Sequence, residues 1–258
     1  MEKITSKSND LIKGIKKLLS SSDRRREQGL FVLEGARLVF DTLNSLFEVR
    51  YFLITSKAYD KYKSSADIMI DKAEESYLIS DELADKLTDT KSSQGVFAVC
   101  KMQSEQYDLA DTSKLIALDN VQDPGNLGTI LRTAEALGID GVLVAGGCDI
   151  YNPKVLRASM GSILRLKVVA SDDLCTALEE LKAFGFTAYA TVPDSNALSI
   201  TDIDFNKKTI CVIGNEANGV SPQVQEICDE RITIKMLGNA ESLNASIAGA
   251  ITMWEMLR

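Results

Sequence analysis

"KLIALDNVQDPGNLGTILRTAEALGIDGVLVAGG" (residues 114–147) decides the fold. An apolar run over 114–120 stops at a polar turn, apolar residues recur at helical spacing over 126–137, and a second apolar run fills 141–147. Strand, helix, strand is the unit that joins parallel strands. The alternation continues with strand-like "LKVVA" (166–170), "TAYATV" (187–192), "TICVIG" (209–214) and "RITIKM" (231–236). Helical patterns fall at 153–164, 172–184, 221–228 and 242–257. Strands that are apolar without alternation have both faces covered, so this block predicts an α/β fold on a largely parallel sheet. In such sheets ligands sit outside the carboxyl ends of the strands. The loops after 120, 147, 192, 214 and 236 are therefore the places to search.

The first hundred residues read as a smaller α/β layer. Leu11, Ile12, Ile15, Leu18 and Leu19 fall at helical spacing; "LFVLEG" (30–35), "VRYFLIT" (49–55), "SYLIS" (76–80) and "GVFAVC" (95–100) are short strands. "ARLVFDTLNSLF" is a helix, and Ser80 caps another with Leu83 and Leu87 behind it. We expect a first domain at 1–103, a polar linker at 104–113 and a second domain at 114–258.

Composition narrows the chemistry. With 45% apolar and 26% charged residues the chain has an ordinary globular balance. No apolar run approaches a membrane span, and the amino end lacks the features of a signal peptide. Five cysteines form no CxxC pair, so buried free thiols in a reducing cytoplasm are expected, with neither a disulfide framework nor a metal site. Histidine is absent, which removes Ser-His and Cys-His nucleophiles and the commonest general base. The net charge of −8 is unevenly spread. Residues 1–26 hold eight basic and three acidic residues, giving that arm +5 and the rest of the chain −13. Its Lys13, Lys16, Lys17, Arg24, Arg25 and Arg26 are candidate phosphate contacts, although a solvated helix face accounts for the charge equally well.

Three loops carry unusual residues. After 120, Asp123-Pro124-Gly125 turns the chain, Asn126 stands where an N-cap would, and Arg132 lies nearly two turns on in a helix that otherwise packs. Next, "VIGNEANGVS" frames Glu216 between Gly214 and Gly219, and Ser221-Pro222 opens a helix. Finally, "IKMLGNAESLNASIAGA" runs from strand through a glycine loop to a helix that Ser242 or Asn244 caps. That closing helix is almost apolar all round, which demands either a deep core position or a second subunit.

These stretches, in this order and spacing and together with "NPKVLRASMGSILRLKV" (152–168), resemble the signature motifs of the SpoU/TrmH family of the SPOUT methyltransferases. "SSDRRREQGLFVLEGARLV" and "SSQGVFAV" resemble the family's amino-terminal, ribosomal-protein-like RNA-binding domain. The resemblance is closest to the ribosomal-RNA members. It implies methyl transfer from S-adenosylmethionine to a ribose 2′-hydroxyl of RNA, a deep trefoil knot at the carboxyl end, and a homodimer with active sites near the subunit interface. Carried onto this sequence, it makes Asn126, Arg132, Glu216, Ser242 and Asn244 the catalytic set. It places the cofactor against Gly214, Asn215, Glu216, Gly219, Ile234, Met236, Leu243, Asn244 and Ser246, and the RNA against the basic arm and Arg132. Lys235 departs from the family's usual proline. A guanidinium stays protonated, so Arg132 is expected to stabilise the developing alkoxide and anchor phosphate. Alternatives are methylation of transfer RNA, or a catalytically silent ribosome-assembly factor on the same fold. The RNA partner implies the cytoplasm.

Overall fold

The computed structural model describes residues 1–88, 93–103 and 109–258. They pack as two compact units, one formed by Met1–Glu105 with Tyr151–Leu164, the other by Gln106–Ile150 with Arg165–Arg258.

In the first unit the elements are β1 (Glu2–Ile4), α1 (Asp10–Ser20), α2 (Ser22–Gln28), β2 (Leu30–Glu34), α3 (Ala36–Asp41), β3 (Val49–Thr55), α4 (Ser56–Lys61), α5 (Lys63–Lys72), β4 (Glu75–Ile79), α6 (Asp81–Leu87) and β5 (Val96–Lys101). The strands form one mixed sheet in the order β1-β4-β3-β5-β2, with β2 and β3 antiparallel to β5 and the other pairs parallel. Ile12, Ile15 and Leu18 of α1 pack with Leu83 and Leu87 of α6 against Leu53, Phe97 and Val99 of the sheet, as their helical spacing requires. Ser80 caps α6 through Leu83 N. The expected helix at 36–47 is shorter: α3 ends at Asp41 and only a 3₁₀ turn at Thr42–Asn44 follows. The strand β1, three residues paired with Tyr77–Ile79, lies in a stretch where sequence reading places none.

The second unit contains β6 (Lys114–Asp119), α7 (Pro124–Leu137) and β7 (Gly141–Ala145). The chain then supplies α8 (Pro153–Ala158) to the first unit and continues through β8 (Lys167–Ser171), α9 (Leu174–Ala183), β9 (Thr187–Thr191), β10 (Leu198–Ser199), β11 (Thr209–Ile213), α10 (Pro222–Ile227), β12 (Glu230–Thr233) and α11 (Ala245–Met256). All seven strands run parallel in the order β10-β12-β9-β11-β6-β7-β8. The central β6, β7 and β11 are buried on both faces, which is why they read as continuous apolar runs. On one face Leu178 and Leu181 of α9 and Val224 of α10 meet Ala188, Ile210 and Val212. On the other, α11 lies against α7 and β11, where Gly249 brings the two helices close: a Cβ there would stand 3.4 Å from Ile130.

The helix expected at 153–164 is two pieces. Met160 and Gly161 adopt left-handed backbone (φ 51° and 88°), which ends α8 and leaves a 3₁₀ turn at Ser162–Leu164. This segment joins the first unit through Tyr151, whose ring stacks on Phe31 at 4.5 Å, and through Arg157, 3.9 Å from Glu34. Of the expected linker, 104–108 lie outside the described residues. Leu109 and Thr112 are buried, and Lys208 Nζ donates to the Ala110 carbonyl, so 109–113 are built into the second unit. None of the five cysteines forms a disulfide with a described residue. Burial pushes the Cys100 thiol up to about 12 and keeps it inert.

Candidate active site

Strands β6 and β11 are neighbours from which the strand order runs outward in both directions, and their carboxyl-end loops meet. Asn215 Nδ2 donates to the Asn120 carbonyl (2.9 Å), and the Ser221 amide donates to Asp119 Oδ2 (2.7 Å). The β11 loop is a small closed hairpin. Asn215 and Gly219 exchange backbone hydrogen bonds of 3.0 and 2.9 Å, and Asn215 Oδ1 accepts from the Ala217 and Asn218 amides. Gly219 supplies the left-handed turn at φ 69°. Gly214 supplies space: a Cβ there would stand 2.1 Å from Gly219 C and Val220 N.

That hairpin holds Glu216 over the start of α7. Its carboxylate accepts from the Gln122 amide (3.1 Å), the Asp123 amide (3.0 Å) and Asn126 Nδ2 (2.9 Å). Partial burial favours the protonated form, but the donors from Asn126, Gln122 and Asp123 outweigh it and hold the carboxyl below its ordinary range. Glu216 is thus a carboxylate that already accepts three hydrogen bonds and is a weakened base for a substrate proton.

Asn126 is not the N-cap that the sequence predicts. Asp123 caps α7, accepting from the Asn126 amide at 2.8 Å, with Pro124 as first helical residue. The three-residue shift turns the buried Asn126 side chain inward. With Nδ2 committed to Glu216, its Oδ1 accepts from Asn244 Nδ2 (2.9 Å). Asn244 Oδ1 in turn caps α11, taking the Ser246 amide (2.9 Å), Ser246 Oγ (2.6 Å) and the Ile247 amide (3.3 Å). A carboxylate, two amides and a helix terminus form one chain of hydrogen bonds with every donor direction fixed.

A cavity of about 400 Å³ opens beside this chain. Gly214, Asn215, Glu216, Gly219, Ile234, Met236, Ser242 and Leu243 are among the residues that line it. Asn244 and Ser246 are not in its wall; they order the helix behind it. Lys235 is exposed and outside the wall as well, so the departure from proline leaves the cavity in place. The β9 end adds Thr191, Val192, Pro193 and Asp194, and β12 adds Arg231, which pairs with Asp194 at 3.4 Å. Sequence reading marks the loop after 192 as a ligand edge but singles out none of these residues. Apolar walls from Val192, Ile213, Ile234 and Leu243, alongside backbone groups and a buried Thr191 hydroxyl with no partner among the described residues, suit a molecule that is part aromatic ring and part polar chain.

Arg132 stands apart from the chain. Six residues beyond Asn126, it leaves α7 about 120° around the helix, is exposed, and makes no hydrogen bond or ion pair with a described residue. Of the basic arm, Lys16, Lys17 and Arg26 are exposed, while Lys13 pairs with Asp10 and Arg24 with Glu27. Arg25 is a correction. It is 3% exposed and its guanidinium serves the Leu18 and Leu19 carbonyls at the end of α1, a helix-terminal role unavailable to phosphate.

Comparison with known proteins adds the identity. Residues 113–254 match the SpoU rRNA Methylase family, and residues 9–98 match the MRM3-like substrate binding domain. The 23S rRNA (guanosine(2553)-2'-O)-methyltransferase RlmP of Bacillus subtilis (strain 168) is 34% identical over 257 residues, covering 99% of each chain. The crystal structure of the AdoMet-bound rRNA methyltransferase from Sinorhizobium meliloti superposes with a TM-score of 0.88 at 26% identity, over 99% of this chain and 97% of the other. That of the SpoU methyltransferase AviRb from Streptomyces viridochromogenes with AdoMet gives 0.87 at 28% identity, over 96% and 97%. A parallel sheet with its ligand loops at one switch point, motif residues joined across it, and likeness along the whole chain place this protein in the SpoU rRNA methylase family.

Proposed function

We propose that this protein transfers the methyl group of S-adenosylmethionine to a ribose 2′-hydroxyl of 23S ribosomal RNA. The observation that carries the reading is the Glu216–Asn126–Asn244 chain at the edge of the cavity, with the exposed Arg132 six residues beyond Asn126 on the same helix. When bound, S-adenosylmethionine supplies an electrophilic methyl group. Gly214, Ile234, Met236 and Leu243 would hold it, with Thr191 and the Asp194–Arg231 pair at the same wall.

The reaction forms an O–CH₃ bond as the S–CH₃ bond breaks, and the hydroxyl proton must leave. No imidazole is present to take it. Glu216 is committed to three donors, so its part is to fix Asn126 and the loop before α7. Arg132 is exposed and makes no ion pair with a described residue, and it lowers the energy of the alkoxide that develops as the proton passes to water. The division is tested by Arg132→Ala. Methylation of 23S rRNA should fall at least about a hundredfold, while S-adenosylmethionine affinity by calorimetry stays within about twofold. Equal loss of both would refute this role.

The finer features belong to the same proposal. Ribosomal RNA is favoured over transfer RNA because relatives named for 23S rRNA align along the whole chain, first unit included. Exposed Lys16, Lys17 and Arg26 would meet its phosphates. A homodimer is supported by α11, where Ile247 and Trp254 are 50 and 63% exposed on a helix with almost no charge, and by Leu257 just after it, 43% exposed. The trefoil knot follows the family, whose knotted loops would carry Gly214, Ile234, Met236 and Leu243 of the cavity wall. No described helix is long and apolar enough to cross a membrane, and the RNA substrate assigns the protein to the cytoplasm. The domain division keeps a substrate-binding part within 1–103 and the methyltransferase in 114–258.

A further inference from the structure

We infer that Arg165 is a positioning residue that reserves Arg132 for the reaction. The inference rests on the role of Arg132 proposed above and assigns a function to a charge pair outside the site.

The only acidic side chain within α7 is Glu135, three residues after Arg132. Side chains at this spacing are neighbours on a helix surface, so a Glu135 carboxylate without another partner would draw the Arg132 guanidinium to itself. The structure gives it another partner. Arg165, in the short connection between the 3₁₀ turn at Ser162–Leu164 and β8, donates from Nε to Glu135 Oε1 at 2.9 Å. Arg132 makes no ion pair with a described residue.

This matters because a guanidinium offers a fixed fork of donors and a single charge. A carboxylate on that fork takes up donors needed by phosphate and by the developing alkoxide, and it cancels the charge that stabilises the latter. The Glu135–Arg165 pair is itself on the surface, with side chains 32 and 40% exposed, and such a pair adds little stability. Its effect falls on where Glu135 points, and through that on Arg132.

The experiment uses the full-length protein and four variants: Arg165→Gln, Glu135→Gln, the double variant and Arg132→Ala. Single-turnover methylation of 23S rRNA, S-adenosylmethionine affinity and thermal melting are measured for each. Arg165→Gln should slow methylation about two- to fivefold, the range open to a surface ion pair. Cofactor affinity and melting temperature should stay near wild type. The double variant should regain the wild-type rate, and Glu135→Gln alone should keep it. The loss in Arg165→Gln should also shrink as salt rises from 0.05 to about 0.5 M, because an exposed Arg132–Glu135 contact is screened. A merely structural Arg165 would lower the melting temperature and would not be rescued by removing Glu135. An undiminished rate in Arg165→Gln beside an inactive Arg132→Ala overturns this inference alone, as does a loss that persists in the double variant. An active Arg132→Ala overturns the reading of Arg132 and this inference with it.

Discussion

Glu216→Gln is the sharpest test of the loop chemistry, because it changes one atom in a group whose partners are all known. The carboxylate takes the Asp123 amide and Asn126 Nδ2 on Oε1 and the Gln122 amide on Oε2. A glutamine keeps at best the two bonds at one oxygen and turns its own NH₂ toward the Gln122 amide, donor against donor. Replacing charge-assisted bonds by neutral ones costs about 1 kcal/mol each in protected sites. The Glu216 residue is exposed, so solvent screening roughly halves this, and the total comes to about 1–2 kcal/mol. For a unit of this size that is about 3–6 °C in melting temperature. The sign of the pH dependence follows from a folded pKa below the reference 4.5. The contribution is complete above about 4.5 and disappears as pH falls through the lower, folded value. The gap between wild type and Glu216→Gln should therefore be flat from pH 8 to about 5.5 and close on further acidification. Melting curves of both proteins across that range, with S-adenosylmethionine calorimetry at pH 7.5, are the assay. A gap unchanged down to pH 4, or no gap at pH 7, would refute the view of Glu216 as an ionised clamp.

Two further outcomes follow from the geometry. Gly214→Ala places a Cβ 2.1 Å from the Gly219 and Val220 backbone, which cannot yield as a flexible side chain would; the hairpin should open, with S-adenosylmethionine binding lost by calorimetry while far-UV circular dichroism keeps its α/β signature. In the basic arm, Lys16→Ala with Lys17→Ala should flatten the salt dependence of RNA binding by up to about two in logarithmic slope at unchanged melting temperature, whereas Arg25→Ala should lower the melting temperature of the first unit and leave the slope alone, a division read from filter binding and calorimetric melting.

Much of the second unit was legible because its central strands are buried on both faces. "TICVIG" and "GVLVAGG" have no polar alternation to confuse, and the helices between them carry clear stops such as Gly138, left-handed at φ 82°. Helix starts were less legible. Asp123-Pro124 is a stronger cap signal than Asn126, since aspartate accepts from the helix amides while proline needs no partner for its missing N–H. Reading Asn126 as a cap hid its inward role. The break at Met160-Gly161 was signalled only by the glycine, and β1 is too short for any period to show. Arg25 lies in a run of three arginines whose neighbours are polar, so nothing local distinguishes the buried one from the two that face solvent. The membership of 151–164 in the first unit was hidden for another reason: it depends on contacts such as Tyr151–Phe31, across 120 positions of chain.

The site shows how far residue types can be read without their partners. Motif spacing singled out Asn126, Glu216 and Asn244, but their bonds span 90 and 118 residues and no local rule assigns a bond direction. Those directions change the chemistry. A free Glu216 would be a candidate base in a protein without histidine; a Glu216 that accepts two backbone amides and an asparagine is a clamp. Since the clamp also sets the Asn126 amide, and that amide sets Asn244 at the cap of α11, disorder in the 215–219 hairpin would spread to the helix terminus that backs the cavity. Arg132 shares none of these bonds. On the proposed function, the hydrogen-bonded network shapes the cavity that would hold the cofactor, and Arg132, without an ion pair among the described residues, would meet the RNA. Variants of the network should lose cofactor affinity first and rate second, and variants at Arg132 the reverse.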